Sequence, residues 1–183
     1  MPTRLILIRH GQTDWSRQGR YCSLTDISLN NKGKEQIKKV RNVLNREKID
    51  KICSSDAKRA VQSARLVFKG RKIDKFPELC EMNFGAFEGL TYRQIMKSFP
   101  KIYKKWLSNP CDIVIPNGES LPILAKRVRK ALKKIMARNK GGTIAIFTHA
   151  GPISVILCDI LGLGLEKIWQ VNPDLASVSM VEC

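Results

Sequence analysis

The sequence predicts an α/β fold of three layers, with a mostly parallel sheet in the middle and helices on both of its faces. Three observations lead there. Strand-like and helix-like stretches alternate along the chain, the pattern of βαβ units. The two strongest apolar runs, Leu5-Ile6-Leu7-Ile8 and Ile144-Ala145-Ile146-Phe147, are continuous, as in strands buried on both faces. Each run leads to a histidine, His10 or His149, followed by small residues, Gly11 or Ala150-Gly151, that let the backbone turn. With 183 residues the chain fits one domain, 1–183, around one core.

The first strand is expected over residues 4–8, followed by a polar loop over 11–30. Asn31 is suited to cap a helix whose apolar face is Ile37, Val40, Val43 and Leu44. A short strand follows at 51–53. Ser54-Ser55-Asp56 then offers capping groups for a helix to about residue 68, with Val61, Ala64, Leu66 and Val67 as its apolar set. Residues 73–76 read as another short strand. Pro77, Gly85 and Gly89 make 77–90 a structured loop. One or two short helices fill 91–108, broken near Pro100, and 109–118 is loop. Ser120 caps a long helix with Pro122 in its first turn, where proline is tolerated. The stripe of that helix is Leu121, Leu124, Val128, Ala131, Leu132 and Ile135. Lys126, Arg127, Arg129, Lys130, Lys133 and Lys134 cover the remainder, which reads as a solvated face. Gly141-Gly142 ends the helix, and the second long strand covers 143–148. The helix after His149 is apolar nearly all round, which predicts burial, and an edge strand follows at 177–182.

The chain carries 33 Lys and Arg against 16 Asp and Glu, a net charge of +17. Such a field attracts anions and phosphorylated ligands. The basic residues are spread out, without aromatic interleaving, a basic tail or a zinc-finger signature, so no specific nucleic-acid partner is expected. The longest apolar stretch, 153–165, is too short for a bilayer and is interrupted by Asp159, Gly162 and Gly164, so no membrane partner is expected either. Met1-Pro2-Thr3-Arg4 runs straight into the first strand, with no sign of an export signal. Cys22, Cys53, Cys80, Cys111, Cys158 and Cys183 form no C-x-x-C pair, which argues for reduced thiols in the cytoplasm and against a zinc or redox motif. The oligomeric state stays open.

Two histidines at two strand ends point to one shared site at one edge of the sheet, where open α/β folds hold their ligands. Arg9 stands beside His10. A guanidinium binds phosphate oxygens as a fork and keeps its charge, and a neutral imidazole can attack phosphorus. Arg59 falls in the first turn of a helix, where anions are already favoured. Glu81 lies in a glycine-bounded loop and is a candidate general acid, with Glu78 and Glu88 as rivals.

These residues occur within an ordered set of motifs: Arg9-His10-Gly11-x-Thr13, Ser54-Ser55-x-x-x-Arg59-Ala60-x-Gln62-Ser63-Ala64, Glu81-x-x-Phe84-Gly85-x-x-Glu88-Gly89, Asn117-Gly118-Glu119-Ser120 and His149-x-Gly151. The set resembles the histidine phosphatase superfamily, which includes the cofactor-dependent phosphoglycerate mutases, over residues 4–182. The resemblance implies a phosphoglycerate mutase-like fold and a phosphomonoesterase that works through a phosphohistidine. It makes His10 the nucleophile and Glu81 the proton donor. Arg9, Arg59, His149 and the Ala150 backbone would hold the phosphoryl oxygens, with no metal or other cofactor required.

The chain departs from the family pattern at Gln12, Ser16, Cys80, Ala150 and Ser154, where glutamate, asparagine, arginine, glycine and arginine are usual. The segment 91–118 offers only a modest lid, so water is expected to reach the intermediate, which favours a phosphatase over a mutase. The loop Gly19–Leu29 is similar to that of α-ribazole phosphatases, which implies a small phosphorylated metabolite such as α-ribazole 5'-phosphate, with Ser16, Cys22 and Ser23 as candidate substrate contacts. Phosphoserine phosphatases and broad-specificity sugar phosphatases carry similar loops and remain alternatives. The positive charge keeps open a different class, a basic nucleic-acid-binding protein on a phosphatase fold.

Overall fold

The computed structural model describes residues 2–183. Five strands form one sheet: β1 (Arg4–Arg9), β2 (Lys51–Ser54), β3 (Asp74–Lys75), β4 (Thr143–Thr148) and β5 (Val178–Glu182). Their order is β3-β2-β4-β1-β5. The first four run parallel, and β5 lies antiparallel on β1 as an edge. Among the described residues, seven α-helices accompany the sheet: α1 (Asp14–Arg17), α2 (Asn31–Leu44), α3 (Lys58–Val67), α4 (Tyr92–Ser98), α5 (Pro100–Ser108), α6 (Leu121–Ala137) and α7 (Ala150–Ile160). The expected α/β architecture is therefore present.

Alternate residues of each central strand feed opposite cores, because successive side chains leave a strand on opposite faces. Leu5, Leu7, Cys53, Ile144 and Ile146 pack with Leu124, Val128, Ile135, Ile153 and Ile156 of α6 and α7. Ile6, Ile8, Ile52, Ala145 and Phe147 pack with Ile37, Val40 and Leu44 of α2 and Ala64 and Val67 of α3. Both faces of the sheet are thus covered, which is why its strands read as continuous apolar runs. Truncating Ile146, fully buried on β4, is expected to cost about 2–5 kcal/mol of unfolding free energy as Ile146→Ala, read by urea denaturation.

Several local expectations need correction. Residues 11–30 contain α1, whose capping box pairs Ser16 N–H with Thr13 Oγ1 at 3.1 Å and Thr13 N–H with Ser16 Oγ at 2.8 Å. The cap of α2 is Asn30, whose Oδ1 accepts from Gly33 N–H at 2.8 Å, while Asn31 is already helical. Val43 falls beside the stripe set by Ile37, Val40 and Leu44 and is exposed. Ser54, Ser55 and Asp56 do not cap α3. Asp26 from a distant loop accepts the Lys58 N–H at 2.7 Å, because Ser55 and Asp56 bind other partners, His149 and Cys80. The helix α7 is buried as expected through Cys158, but its last residue, Ile160, and the following Leu161 reach solvent.

Candidate active site

The site is built on the carboxyl ends of β1 and β4, which are neighbours in register, Arg9 opposite Thr148. His10 continues the ladder by donating its N–H to the Thr148 carbonyl at 3.1 Å. The chain then turns at Gly11 against the first turn of α2. A Cβ on Gly11 would meet Gly33 O at 2.4 Å, and one on Gly33 would meet Gln12 O at 2.1 Å. Two glycines therefore let β1 and α2 approach closely enough to fix His10. On the neighbouring strand, His149 is the N-cap of α7. The two imidazoles meet edge to face with centroids 5.1 Å apart.

The tautomer of His10 follows from its partner. Its Nδ1 lies 2.8 Å from the Gly11 carbonyl, which can only accept, so Nδ1 carries the proton and Nε2 keeps its lone pair. Burial, then the Arg59 charge, with a smaller push from Arg9, takes its pKa from an ordinary 6.5 down to about 3, against the hydrogen bond to Gly11. His149 is fully buried, and burial, with Arg59 next, also holds it well below the ordinary value. Its Nε2 is 2.8 Å from Ser55 Oγ. Both imidazoles are therefore neutral near pH 7.

Arginine carries the positive charge. Arg59, in the first turn of α3, is 1% exposed, and its Nη atoms donate to the carbonyls of Thr25, Cys22 and Ser23 at 3.2, 3.3 and 3.1 Å. Arg9 donates through Nη1 to Pro173 O at 2.7 Å. Burial holds its guanidinium below the ordinary arginine value, opposed by the nearby charges of Glu81 and Asp174. Arg9 Nε, Arg59 Nε and His149 Nδ1 are buried without protein partners. An unsatisfied buried donor costs about 1–3 kcal/mol, so an oxyanion that engaged Arg9 Nε–H or Arg59 Nε–H would gain from each.

Glu81 follows a 3-10 turn over Pro77–Leu79. Its Oε1 accepts from Met82 N–H at 2.9 Å and from Gly151 N–H, in the first turn of α7, at 3.1 Å. Glycine leaves room for this approach: a Cβ on Gly151 would fall 2.4 Å from Glu81 Oε1 and push the carboxyl aside. The two rivals are occupied elsewhere or lie off the cavity. The Glu88 carboxylate accepts from the N–H groups of Ser23 and Thr25 and from the Ser23 hydroxyl. Glu78 does not line the cavity.

A cavity of about 350 Å³ opens over this cluster, lined by Arg9, His10, Ser16, Cys22, Arg59, Glu81 and Ala150 among the expected residues. His149 packs against the His10 ring and is not among the lining residues. Ser16 reaches the wall, although its hydroxyl also closes the capping box of α1. Burial pushes the Cys22 thiol up to about 11, so it stays protonated and a poor nucleophile. Ser23 departs from expectation. It is buried, lies off the wall, donates its hydroxyl to Glu88 and accepts from Phe84 N–H. Its carbonyl accepts from Arg59 Nη2 at 3.1 Å. Arg20 and Tyr92 also line the cavity and were not anticipated. Among the described residues, no three of His, Cys, Asp and Glu come together as a metal-ligand set.

Arg127 is the larger omission. It lies on the face of α6 expected to be solvated, yet it forms a two-point fork with Glu119 at 2.8 Å on both arms. It also donates to the carbonyls of Glu78, Cys80 and Glu81 at 2.8, 2.7 and 2.8 Å. It thereby clamps the backbone that presents Glu81. The signal was available in part: Glu119 sits in the Asn117–Ser120 motif, at the edge of the α6 stripe. Arg127→Ala is expected to lower kcat about 10–100-fold with little change in KM, because Glu81 is misplaced. Arg127→Lys should not rescue it, since a point charge cannot hold five bonds in a fork. Steady-state kinetics on both variants checks this.

Buried neutral imidazoles, guanidinium groups and a carboxyl gathered at the end of a parallel sheet define a phosphoryl-transfer class of site. A profile of the Histidine phosphatase superfamily (branch 1) matches residues 5–183, and the chain belongs to that family. Phosphoserine phosphatase 1 of Hydrogenobacter thermophilus is 31% identical over 180 residues, spanning 97% of this chain and 85% of the relative. Adenosylcobalamin/alpha-ribazole phosphatase of Escherichia coli (strain K12) is 28% identical over 181 residues, spanning 98% of this chain and 89% of the relative. The solved structure of YhfR from Bacillus stearothermophilus superposes with a TM-score of 0.93 at 26% identity, covering 98% of this chain and 91% of that one. The relatives named as phosphatases support phosphatase activity in this chain. No helix of the described residues is long and apolar enough to cross a membrane.

Proposed function

We propose that this chain is a phosphomonoesterase that acts on a small phosphorylated metabolite through a phosphohistidine and without a metal. The observation that carries the reading is the convergence of His10, His149, Arg9, Arg59 and Glu81, drawn from residues 9 to 149, at one sheet edge. In the first step, His10 Nε2 attacks phosphorus and the bond to the ester oxygen breaks. The departing oxygen takes its electron pair and a proton from the Glu81 carboxyl. In the second step, the Glu81 carboxylate takes a proton from water, the water oxygen bonds to phosphorus and the P–N bond breaks. Phosphate leaves, with His10 neutral again and Glu81 reprotonated.

Arg9, Arg59 and the N-terminus of α7 at Ala150, with His149 against the His10 ring, would stabilise the extra charge of the transferring group, where most of the catalysis should reside. A neutral His10 suits this scheme, because a protonated ring could not attack. The α-ribazole reading is supported by the adenosylcobalamin/alpha-ribazole phosphatase relative, and the phosphoserine reading by the Hydrogenobacter relative. A turnover screen of α-ribazole phosphate, phosphoserine, sugar phosphates and nucleotides, with chelator present, tests the proposal. Release of inorganic phosphate is the expected result, and a strict divalent-metal requirement would overturn the mechanism.

A further inference from the structure

Glu81 borders two cavities. Beyond the catalytic one lies a second, of about 290 Å³, enclosed by α5, the start of α6, α7 and the segment 165–172. The two share Tyr21, Glu81, Phe84 and Ala150 as a common wall. Four aromatic rings frame the second cavity in edge-to-face pairs: Tyr21 with Phe84 at 4.9 Å and Trp106 with Trp169 at 4.8 Å. Leu121, Leu124 and Ile168 add to a mostly apolar lining, in which Ser154 and Asn172 are polar but no lysine, arginine or histidine occurs.

We propose that this annex receives the alcohol portion of the substrate, and that the enzyme selects esters whose alcohol carries a flat, uncharged ring system. The inference rests on the phosphatase reading. A general acid must lie within hydrogen-bond reach of the ester oxygen, so the group attached to that oxygen starts beside Glu81, at the wall the cavities share. The annex is the apolar direction open to it. A dry cavity of about 150 Å³ holds benzene, so this one has room for two fused rings. A zwitterionic amino-acid ester would bring a carboxylate into a space where Glu81 is the charged neighbour and no cation answers it. Burying that carboxylate unpaired is unfavourable, whereas an aromatic face gains from both area and ring contacts.

The test compares three phosphate esters of primary alcohols, so that leaving-group chemistry is alike: ethyl phosphate, 2-(1-naphthyl)ethyl phosphate and O-phosphoserine. The naphthylethyl ester is expected to exceed the other two in kcat/KM by about a hundredfold. Trp169→Ala, at a partly exposed ring, should lower the naphthylethyl-to-ethyl ratio at least about tenfold, and Trp169→Phe should keep most of it. Binding of the naphthylethyl ester to His10→Ala protein, followed by calorimetry, should weaken in parallel when Trp169→Ala is added. Equal kcat/KM for the three esters, or a preference for phosphoserine, overturns the inference and leaves the phosphatase reading standing. Failure to hydrolyse any of them or an activated aryl phosphate overturns both.

Discussion

Replacing His10 with alanine is expected to lower kcat by a factor on the order of 10⁴ or more, with the fold retained. Removing a nucleophile that acts with its electrostatic partners as a unit costs nearly the whole of the chemical step. His10 is the imidazole that lines the cavity at the β1 edge. Cys22 lines the same cavity, but its thiol is pushed up to about 11 by burial and is not poised to substitute. The pH behaviour belongs to the same prediction. Burial and the Arg59 charge push His10 down to about 3, so kcat/KM should show no loss from His10 protonation between pH 7 and 5. A His10 imidazole that titrated near 6.5 by NMR would contradict the burial argument. Stability has the matching sign. The unfolded chain binds a proton below its ordinary 6.5 that the folded site refuses until about 3, so the wild type loses stability as pH falls through that window. His10→Ala should lose less, which thermal unfolding at pH 7 and pH 5 would reveal.

Glu81→Gln is expected to lower kcat by about 10²–10⁴-fold for esters of poor leaving groups and far less for an activated aryl ester. The amide keeps the shape of the side chain and can still accept from Gly151 N–H, which holds the present carboxylate at 3.1 Å. What it cannot do is deliver a proton to the departing oxygen. An aryl oxide needs little help, so the first step should survive with such a substrate, while the second still lacks its base. The variant should then release one equivalent of phenol rapidly and further product slowly. A uniform loss across leaving groups in stopped-flow assays would instead mean that Glu81 serves position alone, as Arg127 does.

Much of this arrangement was legible before any coordinates. The central strands announced themselves because they are buried on both faces, and each pointed to a histidine at its carboxyl end. The motif order supplied Arg9, Arg59 and Glu81, and the structure gathers all three around His10. What escaped the sequence depends on long-range partners. Ser55 reads as a helix cap, and only the neighbouring strand reveals that its hydroxyl faces His149. Ser23 reads as a substrate contact because its loop is near the site. Its hydroxyl is turned to Glu88, 65 residues away in sequence. Arg127 looked like one more cation on a basic helix, since nothing local marks the three carbonyls it holds. The aromatic annex was invisible for the same reason: its rings come from positions 21, 84, 106 and 169. Periodicity identifies the face of an element, but it cannot name what another element brings to that face.

The net charge of +17 is also easier to place with the structure in hand. Arg9, Arg20 and Arg59 line the catalytic cavity, so part of the excess stands where a phosphorylated ligand would arrive. Other cations are tied to carboxylates, as in Arg4 with Glu47, Lys51 with Asp74 and Arg129 with Asp159. Exposed pairs of this kind contribute little to stability, roughly 0–1 kcal/mol each. Their more direct consequence is the field that remains, which should speed the arrival of anions and weaken with added salt.

The proposed chemistry passes through a covalent bond between phosphorus and His10 Nε2. Glu81→Gln protein mixed with an activated aryl phosphate, quenched in alkali and mapped by mass spectrometry should carry one phosphoryl group, on the peptide that contains His10. A phosphoryl group on any other residue, or unmodified protein during a burst of released phenol, would contradict it.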